Sequence, residues 1–155
     1  MTVTYRRLGP GDEGVLRTLS SEAARFEYAD AEPKYEPLSD ADAASFLAEA
    51  RNYLDVAFDD RPVGMLLAYE LDRRHGARRM LFIYELGVDA QYRRRRIGRA
   101  LLRRAGAHAR ARGIAHGFLI TDEGNEAALA LYRSEGAIRE RDDDVVFDLD
   151  FGGVS

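Results

Sequence analysis

The feature that most constrains the fold is a change of period between residues 80 and 109. Met80 to Val88 reads as a strand. The chain then crosses Asp89-Ala90-Gln91-Tyr92 and four arginines, Arg93 to Arg96. Beyond them Ile97, Leu101, Ala105 and Ala109 fall four apart on one helical face. A further apolar run, Phe118-Leu119-Ile120, reads as a short buried strand, so the segment predicts a strand–helix–strand crossover.

The rest of the chain fills in around that unit. Val3 to Leu8 is a short strand broken by Gly9-Pro10-Gly11, with Asp12 placed to cap a helix carrying Val15, Leu16, Leu19 and Ala23. Phe26 to Leu38, with two prolines and several acids, reads as a surface loop. Ser39 with Asp42 resembles a capping box for a second helix through Phe46, Leu47 and Ala50. Leu54, Val56 and Phe58 alternate as a strand does. Asp59-Asp60-Arg61-Pro62 reads as a hairpin turn and Val63 to Leu71 as a long strand. Ala127 to Glu135 is a helix stopped by Gly136, and Val145 to Phe151 reads as a last strand. No linker divides residues 1–155, so one domain is expected. The order gives an α+β fold (an α/β three-layer arrangement) with a mixed, mostly antiparallel central sheet flanked by helices.

Composition excludes several chemistries. With no cysteine among 155 residues there is no disulfide framework, thiolate metal site or cysteine nucleophile, and three scattered histidines (His75, His108, His116) make no zinc site, so no metal is expected. No apolar run approaches the roughly 20 residues of a membrane span, and the first residues lack a signal-peptide stretch, so a cytoplasmic protein without membrane association is expected.

The net charge of −4 hides a segregation. Residues 93–112 carry nine arginines and no acid, whereas residues 122–150 carry ten acids and three arginines. A basic loop opening into a helix suits a phosphate, because the first turn exposes unpaired N–H groups at the positive end of the helix dipole and guanidiniums add charge-assisted bonds. A solvated basic face and a nucleic-acid contact are the alternatives. The negative total charge and the absence of aromatics within the run argue against nucleic acid.

Arg93-Arg94-Arg95-Arg96-Ile97-Gly98 resembles motif A of the GNAT superfamily of acyl-CoA-dependent N-acetyltransferases, [Q/R]-x-x-G-x-[G/A], with Arg96 at the usual glycine position. Ile83 to Val88 resembles the strand that precedes it. Asn125 to Gly136 resembles the family's second CoA-facing motif, with Tyr132 on its helix. Arg7-Leu8-Gly9-Pro10, Pro62-Val63-Gly64 and Val146-Phe147-Asp148-Leu149-Asp150 resemble type I aminoglycoside 3-N-acetyltransferases within that superfamily.

The resemblance implies a GNAT-like fold with acetyl-CoA as co-substrate in a V-shaped gap where the strand at Glu85 splays from the strand at Phe118. Leu86, Gly87 and Val88 would hold the thioester arm, and an N–H near Val88 the developing oxyanion. Arg93, Arg94, Arg95, Arg96, Ile97, Gly98 and Arg99 would hold the pyrophosphate, with Asn125, Ala128 and Tyr132 on the second motif. It further implies direct attack by an amine. Glu85 would be its base or ligand, Tyr132 the acid that protonates the leaving thiolate, and Asp148 a second candidate base. Read from the residues alone, Glu85 is equally a solvated strand residue and Tyr132 a packed amphipathic one. Asp30, Tyr84, Asp122, Glu123 and Asp150, with Asp148, would bind a small cationic substrate, and Glu32 and Glu36 could close over it. The implied reaction is acetylation of an aminoglycoside, at the 3-amine of 2-deoxystreptamine, which confers antibiotic resistance. A polyamine, another small amine, a protein N-terminus and a non-catalytic CoA-binding module are the alternatives, and a homodimer is compatible with all of them.

Overall fold

The computed structural model describes residues 2–26, 36–76 and 78–152. β1 (Thr4–Arg7) leads to α1 (Glu13–Ser21), a 3₁₀ turn (Ala23–Phe26) and α2 (Asp40–Ala48). Then come β2 (Asn52–Asp59), β3 (Arg61–Leu71), β4 (Met80–Val88), a second 3₁₀ turn (Ala90–Tyr92), α3 (Ile97–Ala111), β5 (Gly117–Leu119) and α4 (Glu126–Ser134). The five strands lie in sequence order. The first four are antiparallel, and only β4 and β5 run parallel, as the crossover through α3 requires.

Alternation along the central strands builds two cores. Val56, Met65 and Leu67 pack with Leu16, Leu19 and Leu47 of α1 and α2 on one face. Leu66, Ala68 and Leu81 pack with Ile97, Leu101 and Ala105 of α3 on the other. The result is three layers, as expected from the sequence. Ser39 caps α2 by accepting from the Asp42 N–H at 3.1 Å. Asp12, expected to cap α1, makes no side-chain cap and instead accepts from the Gly9 N–H and Arg6.

Two buried carboxylates tie α3 to the sheet. Asp55 of β2 is fully buried and takes both Nε and a terminal nitrogen of Arg104. Glu70 of β3 is gripped by Arg112 at 2.8 and 2.9 Å and by Arg79 at 3.1 Å. His108 stacks on Tyr53 at 4.2 Å, and burial, with Arg7 nearby, holds its pKa below the ordinary value. The Arg112 hydrogen bonds, opposed by burial, hold the Glu70 pKa below the ordinary carboxylate value. That stabilisation is complete above the pKa of Glu70 in the unfolded chain and fades as pH falls through the depressed folded value. Glu70→Gln is therefore expected to flatten the acid limb of a Tm-versus-pH curve. An unchanged limb would contradict this reading.

Two sequence expectations fail at the C-terminal end. Residues 145–151 form no strand, and Val145, Val146, Phe147, Leu149 and Phe151 are exposed. The strand at 117–119 is not buried either: Phe118 and Ile120 are 39% and 57% exposed, because β5 is the last strand of the sheet and nothing among the described residues covers its outer edge.

Candidate active site

The β4–β5 ladder is short. It pairs Leu81 with Gly117, Phe82 with Phe118 and Ile83 with Leu119, and there β5 ends while β4 continues to Val88. At the same level β4 carries an irregularity: Leu67 pairs with Glu85 and its neighbour Ala68 with Ile83, leaving Tyr84 as the extra residue of a bulge. A bulge bends its strand, and here β4 leaves β5 to open a gap. A cleft of about 1310 Å³ runs through it, lined by Ile83–Val88, by Leu119–Asp122 after β5 and by one side of α4.

Strand alternation decides which β4 groups face the gap. The Asp89 N–H donates to the Val63 carbonyl at 2.9 Å, so Asp89 and Gly87 turn their backbone groups toward β3. Leu86 and Val88 then turn theirs to the opposite edge, where β5 has departed. Arg93 Nε donates to the Val88 carbonyl at 3.2 Å. Gly87 is constrained on the α1–α2 face, where a Cβ would sit 2.8 Å from the backbone oxygen of Phe26. Arg25 bonds Asp89, at the end of β4, at 2.6 and 3.1 Å, closing this floor.

Glu85 lies opposite Leu67, and Phe82 opposite Tyr69, so both occupy the α1–α2 face. Phe82 stacks on Phe118 at 4.6 Å and meets Tyr84 edge-on at 5.8 Å. Tyr84 in turn meets Tyr69 at 5.7 Å. Burial, with the Glu85 carboxylate nearby, raises the pKa of Tyr69, which stays a neutral phenol. The outcome is a row of four rings of which Tyr84 reaches the cleft wall, beside Glu85. Tyr84 alone was singled out from sequence; the Phe82 and Tyr84 spacing is visible there, but the bulge that groups the four rings is not.

The basic loop has an unusual backbone. Arg94 and Arg96 hold φ of 63° and 62°, the left-handed region, and Arg96 is the N-cap of α3 without a side-chain cap. By contrast α2 and α4 are capped by Ser39 and Asn125. The first-turn N–H groups of α3 thus open beside exposed guanidiniums, an arrangement suited to an anion. A side chain in this conformation costs about 1–2 kcal/mol. Arg96→Gly is expected to raise stability by up to about 1 kcal/mol, since greater unfolded-state freedom offsets part of the relief. Denaturant unfolding checks this, and a loss of stability would contradict it.

Of the predicted cofactor residues, Leu86, Gly87, Val88, Gly98, Asn125, Ala128 and Tyr132 line the cleft. Asn125 also accepts from the Ala128 N–H at 3.1 Å as the cap of α4. Four of the remainder, Arg93, Arg95, Ile97 and Arg99, have other contacts. Ile97 is a core side chain, able to serve a ligand only through its backbone. Arg95 lies over the Tyr92 ring. Arg99 reaches Ser134 and Glu135 of α4, Arg103 joins it on Glu135, and Gly98 brings α3 against Leu131 of that helix. Several of the arginines therefore act as staples.

Of the predicted substrate residues, Tyr84, Glu85 and Asp122 line the cleft, as do Glu36 and Glu126. Glu123 instead pairs with Arg139. Asp148 and Asp150 stand outside the cleft in the exposed C-terminal segment, which corrects their placement at the mouth: the strand expected to carry them does not join the sheet of its own chain. Asp30 and Glu32 lie outside the described residues. No helix among the described residues is long and apolar enough to cross a membrane.

The sheet opened at a bulge, with an uncapped helix end at one side and a tyrosine-bearing helix at the other, is the layout that the motif resemblance to the GNAT class implies. The chain belongs to the GNAT acetyltransferase family, whose model matches residues 16–137. Among solved structures it resembles an aminoglycoside acetyltransferase from an uncultured soil metagenomic sample, in complex with sisomicin. That likeness has a TM-score of 0.76 at 22% identity over 96% of this chain and 97% of the other. A second aminoglycoside acetyltransferase of soil metagenomic origin matches with a TM-score of 0.77 at 28% identity, over 97% and 99%. A ribosomal-protein-alanine N-acetyltransferase from Brucella melitensis biovar Abortus 2308 matches with a TM-score of 0.71 at 20% identity, over 95% and 100%. The mycothiol acetyltransferase of Thermobispora bispora is 44% identical over 57 residues, 37% of this chain, and the chain spans 19% of that protein's length.

Proposed function

We propose that this enzyme acetylates an amine of an aminoglycoside, taking the acetyl group from acetyl-CoA. The observation that carries the reading is Glu85 beside Tyr84 on one wall of the cleft, with the Tyr84 ring set edge-on against Tyr69 and Phe82. Aromatic faces pack against the apolar face of a sugar or cyclitol ring, and carboxylates hold its ammonium groups. The full-length likeness to aminoglycoside acetyltransferases, at 28% identity for one of them, supports the same substrate class.

Acetyl-CoA fits the residues present. Among the described residues no strand lies opposite the N–H groups of Leu86 and Val88 once β5 ends, and the first turn of α3 has no side-chain cap. The donor supplies an acetyl thioester. Leu86 and Val88 would hold it as an added strand is held, with the Val88 N–H placed for the carbonyl oxygen, where negative charge gathers. The α3 N–H groups, with Arg94 and Arg96, would take the phosphates. Glu85 would accept the ammonium proton directly or through water, and Tyr132 would donate to the departing sulfur. Glu85 also opposes this step, because a carboxylate beside an ammonium raises the amine pKa. Asp122 and Glu126 would make the tighter ion pairs to the other amines, leaving the reactive one partly desolvated.

Thiol release from acetyl-CoA, followed with gentamicin, kanamycin, spermidine and a peptide, tests the assignment. Turnover with the 2-deoxystreptamine antibiotics is expected. Turnover with spermidine alone would replace the reading with polyamine acetylation, which the acids Asp122 and Glu126 on the cleft wall also suit.

A further inference from the structure

Three carboxylates among the described residues are buried: Asp55, Glu70 and Asp89. Asp55 and Glu70 tie α3 to the sheet, and the arginines on them stand beside no cleft-lining residue. Asp89 differs in its place. It follows Val88, the last residue of β4, and its partner Arg25 precedes Phe26, so each member of this ion pair has a cleft-lining neighbour in the chain. Neither Arg25 nor Asp89 lines the cleft itself.

Every hydrogen-bonding group of Asp89 is engaged. Its N–H donates to the Val63 carbonyl at 2.9 Å and its carbonyl accepts from the Tyr92 N–H at 2.8 Å. Oδ1 accepts from the Gln91 N–H at 2.9 Å, which turns the chain into the second 3₁₀ turn and toward the basic loop. Oδ2 accepts from Nε and a terminal nitrogen of Arg25 at 3.1 and 2.6 Å, while Arg61, half exposed, stands off at 3.7 Å. Arg25 is as fully committed: the same terminal nitrogen reaches the Pro62 carbonyl at 3.1 Å, and the other pairs with Glu22. A planar fork fixes direction as well as distance, which a single ammonium does not.

What the pair holds is Phe26. The Arg25 guanidinium lies over its ring at 5.2 Å, and Phe26 is buried against Gly87, where a Cβ would come within 2.8 Å of both the Phe26 Cβ and its carbonyl oxygen. Gly87 sits between Leu86 and Val88, whose backbone groups face the gap, and Phe26 shares the α1–α2 face with Glu85. The seat of Phe26 on β4 therefore sets the spacing between the edge that receives the donor and the wall on the acceptor side. We propose that Arg25 and Asp89 are positioning residues for acetyl transfer: the fork locks the Phe26 wall to the end of β4, so that amine and thioester meet at a fixed separation. This role rests on the amine-acetylation reading; the clamping of Phe26 onto Gly87 does not.

Asp89→Asn keeps the shape of the side chain and an oxygen for the Gln91 N–H, and removes the charge that orients Arg25. With gentamicin as acceptor it is expected to lower kcat about 30- to 100-fold, the cost of displacing one reactant by about 1 Å, while KM for acetyl-CoA stays within about two-fold. Arg25→Lys keeps the charge but not the fork. It is expected to hold Tm within about 2–4 °C of the wild type and still to lose about ten-fold in kcat. Either variant keeping its kcat overturns the proposal, and a lowered Tm beside it marks a pair that only supports the fold. A second measurement needs no substrate. In the free wild type the Gly87 Hα and Phe26 Hβ protons are expected to show a strong nuclear Overhauser effect, lost in Asp89→Asn while the cross-strand effects of β3 and β4 persist. Its absence from the wild type, or its persistence in the variant, overturns the clamp. Should Asp89→Asn not fold, Arg25→Lys carries both measurements. If no amine releases thiol with the wild type, amine acetylation fails as the function, and the Overhauser contact alone decides the clamp.

Discussion

Glu85→Gln is expected to lower kcat by two to three orders of magnitude at neutral pH while leaving the affinity for CoA unchanged. General-base catalysis contributes typically about 10²–10⁴-fold, and the amide keeps the size and hydrogen bonding of the carboxylate without its basicity. The bulge at Tyr84 puts Glu85 on the α1–α2 face of β4 while the neighbouring Leu86 and Val88 turn their backbone groups to the gap. One residue thus addresses the amine and the next ones the donor. If the proton leaves through Glu85, the variant also loses the dependence of kcat on the ionisation of that base. If Glu85 only binds the ammonium, KM rises and kcat is kept, which reverses the assignment. Tyr132→Phe makes a useful comparison: it removes only the hydroxyl from the α4 side of the same cleft and should spare the pH dependence at the amine.

The largest stability effect is expected at the other end of α3. Arg104→Met should cost about 3 kcal/mol or more, because Asp55 is fully buried and loses both nitrogens that compensate its charge. For a chain of this length that is a Tm lower by roughly 6–12 °C. Asp55→Asn should cost less, since Arg104 reaches solvent and can turn its guanidinium to water. The double variant Asp55→Asn with Arg104→Met should recover part of the single-variant loss, because the two groups form one unit. Thermal and denaturant unfolding of the three chains would measure this. Equal costs for the two single variants would contradict the view that the penalty comes from a buried carboxylate left without its counter-charge.

Much of this arrangement is legible in the order of residues. The shift from a strand-like apolar run at Met80–Val88 to period 3.6 from Ile97 onward gives the crossover, and the capping box at Ser39 gives the start of α2. The resemblance of residues 83–98 and 125–136 to the family's motifs leads to the cleft that Leu86, Val88, Gly98 and Tyr132 line. The bulge is not legible, because Ile83-Tyr84-Glu85 reads as unbroken strand and only pairing with Leu67 and Ala68 shows which residue is extra. Nor are the buried acids: Asp55 and Glu70 look like the solvent side of alternating strands, and the arginines that tie them to α3 are 49 and 42 residues away. The basic run misleads for the same reason. Its count says nothing of which guanidiniums are spent on Glu135, Asp55 and Glu70 and which stand at the loop. At 145–151 the alternation is that of a strand, but a strand needs an edge to join. Here it pairs with no strand of the sheet, so local pattern and tertiary pairing disagree.

The central claim is that the opened edge of β4 and the uncapped start of α3 together receive the acyl donor. Titrating CoA into the isotopically labelled protein and following backbone amide resonances tests it most directly. The expected result is saturable shifts concentrated at Leu86, Val88 and residues 94–99, with slowed hydrogen exchange at the Leu86 and Val88 amides. Resonances in β4 and the start of α3 that stay fixed while CoA binds elsewhere, or does not bind at all, would contradict the account.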